Sequence, residues 1–207
     1  MNQRVTAVLF DIGGIFLDWD PRHLYRKLFD DEQQMEWFLH NICTPEWHDA
    51  HDRGVPTAAS SAQLARQHPE WRREIAAWSE RSEEMVAGTM DDAVAVLREL
   101  RAGGTPCYAL TNMEAETYPG RAARFEFFSL FDGIVVSGLE GTAKPDRAIF
   151  EVVVGRFHVE PSETLFVDDR AENVSAARSA GFVVSRYTGV EGLRRVLAEK
   201  GLLPNDT

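Results

Sequence analysis

The chain has 207 residues, of which 44% are hydrophobic, 27% charged and 10% aromatic, a composition typical of a globular protein and unlike that of disordered or fibrous chains. Its 33 acidic and 22 basic residues give a formal net charge of −11, which disfavours non-specific binding to nucleic acid or to an anionic membrane. Cys43 and Cys107 form no disulfide framework or zinc-ligand spacing and fit a reducing compartment. No apolar run approaches the roughly 18 residues of a spanning helix. The composition therefore predicts a soluble cytoplasmic protein with no nucleic-acid or membrane partner.

The first predicted element is a β-branched, apolar run at residues 5–10, typical of a strand buried on both faces of a parallel sheet. It ends at Asp11-Ile12-Gly13-Gly14, which puts a carboxylate at the carboxyl end of the strand. Farther along, helices and strands alternate. Helices are predicted over residues 91–101, 146–157, 172–180 and 190–200, and strands over residues 106–110, 133–136, 164–167 and 182–187. This alternation predicts an α/β fold with a Rossmann-like parallel sheet, helices on both of its faces, and a binding crevice at the carboxyl ends of its strands.

Residues 19–88 have a different pattern. They lack strand-like runs and contain all five tryptophans and five of the six histidines. Apolar residues recur there at helical spacing, with helices expected over residues 57–67 and 69–84. The segment is predicted to be a small all-α unit inserted after the first strand, with the aromatic side chains forming its core. The expected domains are residues 1–18 and 89–207 for the parallel-sheet core and residues 19–88 for the helical insertion.

Chemically active side chains lie at the predicted strand ends or in the loops beside them. They are Asp11, Thr111, the Lys144-Pro145 pair and Asp168-Asp169. In a sheet of this kind these ends meet at one crevice. A nucleophile, oxygen ligands for Mg²⁺, and hydroxyl and ammonium donors for phosphate oxygens are what phosphoryl transfer needs. The pattern favours a phosphoryl-transfer site at this edge.

Four short motifs carry these side chains. They are Val8-Leu9-Phe10-Asp11-Ile12-Gly13-Gly14, Ala109-Leu110-Thr111-Asn112, Lys144-Pro145, and Phe166-Val167-Asp168-Asp169-Arg170-Ala171-Glu172-Asn173. In type and order they resemble the four motifs of the haloacid dehalogenase superfamily of aspartate-nucleophile hydrolases. The insertion resembles the small helical cap that the first cap class (subfamily IA) places over the active site. Residues 11–14 and 17–20 are most similar to the branch with bacterial α-glucose-1-phosphate phosphatases, which is related to the dehalogenases and to the phosphatase domain of soluble epoxide hydrolases.

The resemblance implies a nucleophile and a metal site. Asp11 would attack phosphorus in line and form an aspartyl-phosphate that water later opens. Mg²⁺ would be held by the Asp11 carboxylate, the Gly13 carbonyl and Asp169, with Asp168 as a supporting or alternate ligand. Asn173 would support the metal loop.

The resemblance also implies groups that bind the phosphoryl oxygens. The Thr111 hydroxyl and the Asn112 backbone would hold those oxygens. The Lys144 ammonium would act in binding and in catalysis, because it neutralises charge on both the substrate and Asp11.

Position 13 departs from the family pattern. Most phosphatases of the superfamily carry there a second aspartate that protonates the leaving group, whereas this chain has Gly13. General acid–base catalysis is worth about 10²–10⁴-fold, so a good leaving group, another donor or a different reaction is required. A sugar anomeric phosphate has a comparatively acidic leaving hydroxyl. Substitute donors are expected in the cap, within residues 46–54.

Two pairs of cap residues have alternative interpretations. His48 and His51 could be packing residues of the cap, or they could contact the substrate or donate a proton, with His48 as the substrate-binding candidate. A metal bound by this pair is the weaker alternative, since no thiolate or acidic ligand follows at matching spacing. Asp18 and Asp20 are expected to be turn and helix-cap residues, with substrate contact as the alternative.

Three functions remain in competition. The favoured one is a Mg²⁺-dependent phosphatase of a small phosphorylated metabolite, above all a sugar phosphate. The second is hydrolytic dehalogenation of a 2-haloacid by Asp11, which the carboxylates of Asp168 and Asp169 disfavour because that reaction needs no metal. The third is a catalytically idle relative that binds a phosphorylated ligand or a protein partner.

Overall fold

The computed structural model of the protein describes residues 4–204. The strands in this part of the chain are β1 (Ala7–Phe10), β2 (Leu17–Trp19), β3 (Val86–Thr89), β4 (Cys107–Thr111), β5 (Gly133–Val136), β6 (Thr164–Asp168) and β7 (Val183–Arg186). Five of them form a parallel sheet in the order β5-β4-β1-β6-β7. This is the Rossmann-like α/β arrangement that the sequence predicts.

Helices cover both faces of the sheet and fill the insertion. They are α1 (Arg22–Tyr25), α2 (Glu32–Asn41), α3 (Pro45–Asp52), α4 (Thr57–Gln67), α5 (Arg72–Glu80), α6 (Asp91–Ala102), α7 (Tyr118–Arg124), α8 (Ser137–Glu140), α9 (Arg147–Phe157), α10 (Ala171–Ser179) and α11 (Val190–Glu199). No helix in residues 4–204 is both long and apolar enough to cross a membrane.

The first strand, β1, lies at the centre of the sheet because all of its residues are apolar and buried. Val8 and Phe10 pack into one apolar cluster, together with side chains of α6 and α11. Leu9 points the other way and packs with side chains of α9 and α10. Since β1 is covered on both faces and paired on both edges, the position of Asp11 just beyond its carboxyl end is tightly fixed.

The predicted elements outside residues 19–88 are all present, and their ends differ from the prediction by no more than two residues. The sequence analysis missed α7, α8 and a 3-10 helix at Glu126–Leu130. Pro119 and Gly120 in α7 are poor helix formers, and α8 has only four residues. These elements follow β4 and β5, so they add side chains to the carboxyl edge of the sheet.

The insertion is helical, as predicted, but a ribbon of two strands joins it to the sheet. β2 and β3 pair in an antiparallel manner at its two ends. The expectation that residues 19–88 contain no strand was wrong, because three- and four-residue strands that are far apart in the sequence leave no readable alternation. The helix expected over residues 69–84 is also divided, with α5 lying between two short 3-10 helices.

Aromatic side chains form the core of the insertion. Tyr25, Phe38 and Trp78 are buried there, and Trp71 packs against them half-buried. Trp37 is an exception, because it is 49% exposed and does not join the core that the sequence predicts for these aromatic side chains.

Candidate active site

A cleft of about 360 Å³ lies between the carboxyl edge of the sheet and the helical insertion. The carboxyl edge of the sheet, with the loops and the helix α10 beside it, lines the cleft with Asp11, Gly13, Thr111, Asn112, Lys144, Asp169 and Asn173. The insertion side contributes Trp19, Pro45, His48, Asp49 and Asp52. The structure therefore brings together side chains that are more than 150 positions apart in the sequence.

Lys144 links two carboxylates at the floor of the cleft. Its Nζ lies 2.8 Å from Asp11 Oδ1 and 2.7 Å from Asp168 Oδ2. Burial lowers the pKa of Lys144, but the two carboxylates outweigh burial and raise it, so the side chain carries its positive charge. A buried ammonium with two anionic partners is a fixed charge in a region of low dielectric.

Asp168 has both oxygens engaged and is fully buried. It accepts hydrogen bonds from the Arg170 backbone N–H at 2.8 Å and from the Asn173 amide at 3.1 Å, in addition to that from Lys144. By contrast, no other residue within 4–204 donates a hydrogen bond to the Asp169 carboxylate, whose hydrogen-bond partner is its own backbone N–H. Asp168 is thus built to hold Lys144 and Asn173 in place, whereas Asp169 has oxygens free for another ligand.

Three carboxylates at this position suit a divalent cation. Asp11, Asp168 and Asp169 each offer an oxygen, and these oxygens all lie within 4.8 Å of one another. Burial raises the pKa of Asp11 and of Asp169, and the neighbouring carboxylates raise both further. Lys144 balances one of three negative charges. The donor set and the remaining charge match Mg²⁺, which prefers oxygen ligands.

A tight turn places two glycines beside these carboxylates. Gly14 has φ of +71°, and a Cβ there would lie 2.8 Å from Asp169 Oδ2. Gly13 lies in open space, with no heavy atom within 4 Å of the place a Cβ would take. Position 14 therefore requires glycine, while position 13 faces the cleft with room for a side chain that the chain does not supply.

Asn112 and Thr111 follow β4 at the same edge. The Asn112 side chain both donates to and accepts from the Lys144 backbone, which fixes its orientation. The Thr111 hydroxyl is buried, and within residues 4–204 its one polar contact is the Asn112 carbonyl oxygen at 3.5 Å. It is free to donate to a ligand in the cleft.

His48 and His51 occupy different environments on α3. His48 lines the cleft and stacks on Trp19, with ring centroids 5.0 Å apart. His51 is buried against Trp47, and neither of its ring nitrogens has a hydrogen-bond partner in residues 4–204. Burial lowers the pKa of both histidines, that of His51 to about 4. His48 thus faces the cleft, whereas His51 packs inside the insertion.

Asp18 and Asp20 do not line the cleft. Asp18 pairs with His23 at 3.0 Å, and Asp20 accepts a hydrogen bond from the Arg22 backbone N–H at 2.8 Å. Both therefore act at the turn into α1, as the sequence analysis favoured.

Sequence reasoning did not single out three charged cleft residues, namely Asp52, Glu114 and Arg121. Asp52 lies within the stretch proposed for a substitute donor. Glu114 comes three residues after the end of β4, so the strand-end argument could have found it. Arg121 lies on α7, a helix that its sequence does not predict.

A model of the haloacid dehalogenase-like hydrolase family matches residues 5–181. The chain belongs to this family. It is a hydrolase, and its parallel sheet with flanking helices is the family fold.

Phosphatases are among the curated relatives of this haloacid dehalogenase-like hydrolase. The chain is 32% identical to the sesquiterpene phosphatase astK of Aspergillus oryzae, over 86% of this chain and 87% of that protein. It is 28% identical to a probable pseudouridine-5'-phosphatase of Drosophila melanogaster, over 88% of this chain and 81% of that protein. The relatives thus bear names for phosphatases that act on quite different alcohols.

Solved structures agree in fold. A HAD family enzyme of Bacteroides thetaiotaomicron, in complex with magnesium and inorganic phosphate, matches with a TM-score of 0.66 at 19% identity, over 88% of this chain and 93% of that chain. L-2-haloacid dehalogenase of Xanthobacter autotrophicus matches with a TM-score of 0.64 at 20% identity, over 97% of this chain and 85% of that chain. At these identities the likeness establishes the fold alone.

Proposed function

We propose that this hydrolase is a Mg²⁺-dependent phosphatase of small phosphorylated metabolites, with Asp11 as its nucleophile. The observation that carries the proposal is the buried Lys144 ammonium between Asp11 and Asp168, beside the free carboxylate of Asp169. The Lys144 ammonium lowers the pKa of the Asp11 nucleophile against the opposing effect of burial, and the arrangement leaves a place for a metal at the point where phosphate would bind.

Asp11, Asp169 and the Gly13 carbonyl are the ligands we assign to Mg²⁺, with Asp168 in a supporting role through Lys144 and Asn173. Bound there, the ion would reduce repulsion between the Asp11 carboxylate and a phosphate dianion and polarise the phosphoryl group. This assignment follows from hydrogen bonding, since the oxygens of Asp168 are already engaged.

Different side chains of the cleft have different roles in the proposed reaction. Asp11 attacks phosphorus and forms an aspartyl-phosphate while the alcohol leaves. Lys144, the Thr111 hydroxyl and the Asn112 backbone bind the phosphoryl oxygens and stabilise their charge as the bond breaks. Water then attacks phosphorus and releases Asp11 and inorganic phosphate. The insertion, residues 19–88, is the cap that covers the cleft during these steps.

A sugar phosphate is the substrate class we favour. The cap side of the cleft presents His48, Asp49 and Asp52, which can accept or donate hydrogen bonds to hydroxyl groups. Trp19 offers an aromatic face beside them. A sugar ring presents hydroxyl groups and an apolar face. Because the cap side of the cleft offers hydrogen-bonding groups beside an aromatic face, its lining supports a sugar phosphate as the substrate.

A phosphate ester of a long apolar alcohol is the second candidate. A further cavity of about 260 Å³ shares Trp19, Pro45 and His48 with the main cleft and is also lined by Leu39, Cys43 and Trp78. An apolar chain could extend into it from a phosphate bound at Asp11. The similarity to a sesquiterpene phosphatase favours the same candidate.

The other two interpretations of the sequence have less support. Dehalogenation gives no role to the Asp169 carboxylate, which has free oxygens beside the nucleophile. An idle relative gives no role to the buried charge cluster, which is costly to maintain without a ligand. The two buried free thiols, Cys43 and Cys107, fit an enzyme of a reducing compartment, so we place it in the cytoplasm.

The test is release of phosphate from p-nitrophenyl phosphate, whose leaving group needs no proton. We expect release in Mg²⁺, a large loss with a chelator, and at least a 10³-fold loss in Asp11→Asn. Asp30→Asn, on the surface of the insertion, is the matched control and should retain full activity. Substantial activity in Asp11→Asn would contradict the nucleophile. Glucose 1-phosphate and farnesyl phosphate then distinguish the two substrate classes.

A further inference from the structure

The cleft needs a proton donor that its sheet side does not supply. Gly13 leaves an open space beside Asp11 with no side chain to donate a proton, and the alkoxide of an ordinary alcohol is a poor leaving group. Any donor must therefore come from the cap side of the same cleft. Apart from arginines, four acidic or basic groups face the cleft there or beside it, namely His48, Asp49, Asp52 and Glu114. Asp49 is already paired with Arg53 at 2.8 Å.

We propose that Asp52 is the general acid and base of this enzyme, donating its proton to the leaving group and later taking one from the attacking water. The proposal rests on the phosphatase function above and adds to it a catalytic residue on the cap. It also implies that proton transfer requires the cap to be closed over the cleft.

The surroundings of Asp52 suit a proton donor. Its side chain lies at the end of α3, lines the cleft and is only 7% exposed. It accepts no hydrogen bond from residues 4–204, and its nearest basic atom is His48 Nε2 at 3.9 Å. A buried carboxyl without a donor is more stable when protonated.

Charged groups on several elements act on Asp52. The pKa of Asp52 is raised to about 7, because burial and Asp49 on the same helix raise it by more than Arg121, Lys144 and Arg170 lower it. Glu114 on the sheet side also faces it. The pKa near neutrality lets the group give a proton and take it back, which is the property that a general acid and base needs.

The other groups are less suited. His48 has its pKa lowered by burial, so its imidazole is neutral at pH 7 and a weak acid. Glu114 already accepts a hydrogen bond from the Trp78 indole N–H at 3.2 Å and lies 3.9 Å from His51 Nδ1, which ties it to the cap core. Asp52 has no such partner.

The proton balance closes over one turnover. As the bond from phosphorus to Asp11 forms and the bond to the alcohol oxygen breaks, the Asp52 carboxyl transfers its proton to that oxygen and the alcohol leaves. The Asp52 carboxylate then takes a proton from water as that water attacks phosphorus. The bond to Asp11 breaks, inorganic phosphate leaves, and Asp52 is protonated again.

The experiment compares leaving groups in Asp52→Asn. The substrates are p-nitrophenyl phosphate, phenyl phosphate and glycerol 2-phosphate, in order of increasingly basic leaving groups. We measure kcat/KM, which reports steps only up to departure of the alcohol. The expected loss is about 10²–10⁴-fold for glycerol 2-phosphate and less than about 10-fold for p-nitrophenyl phosphate, which should also show a stoichiometric burst before slow turnover.

A rescue variant separates catalysis from structure. Gly13→Asp places a carboxyl in the open space at the sheet edge and should restore glycerol 2-phosphate turnover to Asp52→Asn by at least 10-fold. Glu46→Gln, an exposed position of the same helix, is the matched control and should leave all three rates unchanged. A loss of equal size for all three substrates, or no loss for any, would overturn the assignment of Asp52.

The two proposals fail in different ways. If the unchanged protein releases no p-nitrophenolate with Mg²⁺, the phosphatase function fails and the role of Asp52 fails with it. If release is normal and depends on Asp11, but Asp52→Asn affects every leaving group alike, only the role of Asp52 fails.

Discussion

Asn112 and Lys144 are joined by two reciprocal hydrogen bonds at the carboxyl edge of the sheet. The Asn112 amide donates to the Lys144 carbonyl oxygen, and the Lys144 backbone N–H donates to Asn112 Oδ1, each over 2.9 Å. The side chain that follows β4 therefore fixes the backbone that carries the ammonium. Because the Lys144 ammonium also contacts Asp11, the residues that follow the neighbouring strands β1 and β4 are held in fixed positions relative to each other.

Asn112→Ala should weaken both stability and catalysis. The substitution leaves the Lys144 N–H and carbonyl without their partners, which costs about 1–3 kcal/mol for an unsatisfied buried group. We expect a lower urea midpoint and at least a 10-fold loss of kcat on p-nitrophenyl phosphate. Asn41→Ala, which removes one hydrogen bond at an exposed position, is the control. If Asn112→Ala has the same kcat as the unchanged protein, this pair does not position Lys144.

The sequence predicts the sheet edge of the site far better than its cap side. Asp11, Thr111 and Asp169 lie at the ends of strands that their apolar runs predict. Parallel strands bring these ends to one edge of the sheet, whatever the conformation of the connecting loops. Asp52 and Arg121 reach the cleft through the packing of α3 and α7, which depends on contacts between distant segments. Spacing along the chain carries no information on those contacts.

Lys144→Met should destabilise the protein in a pH-dependent manner. Without the ammonium, Asp11 and Asp168 face each other as buried like charges, and breaking such a pair costs about 3–5 kcal/mol. Lys144 lowers the pKa of Asp11, so without the ammonium that pKa should rise further. The native state of the variant then takes up a proton as the pH falls, and its loss of stability becomes smaller at low pH. Urea unfolding at pH 5 and pH 8 measures this. A destabilisation of equal size at both pH values would contradict the ion-pair account.

Gly14→Ala should disturb the metal site, whereas Gly13→Ala should barely change stability. At position 14 a Cβ would lie 2.8 Å from Asp169 Oδ2, on a backbone with φ of +71°, and a left-handed conformation costs about 1–2 kcal/mol for a non-glycine residue. At position 13 a Cβ meets nothing within 4 Å. We expect a lower urea midpoint and weaker Mg²⁺ activation in Gly14→Ala. Equal urea midpoints for the two variants would show that the turn is not constrained as described.

Asp52→Asn should stabilise the protein at alkaline pH. The pKa of Asp52 is raised by burial to about 7, well above that of an unfolded chain, so the native state binds the extra proton between these values and its stability falls as the pH rises through that range. The amide does not ionise and avoids this loss. Between pH 5 and pH 8 the stability of Asp52→Asn should therefore gain on the order of 2 kcal/mol relative to the unchanged protein. Urea unfolding at both pH values tests this without any assay of activity, and Glu46→Gln should show no such gain. A constant difference across that range would mean that Asp52 is already ionised at pH 5 in the native state, and it could not then hold the proton that the leaving group needs.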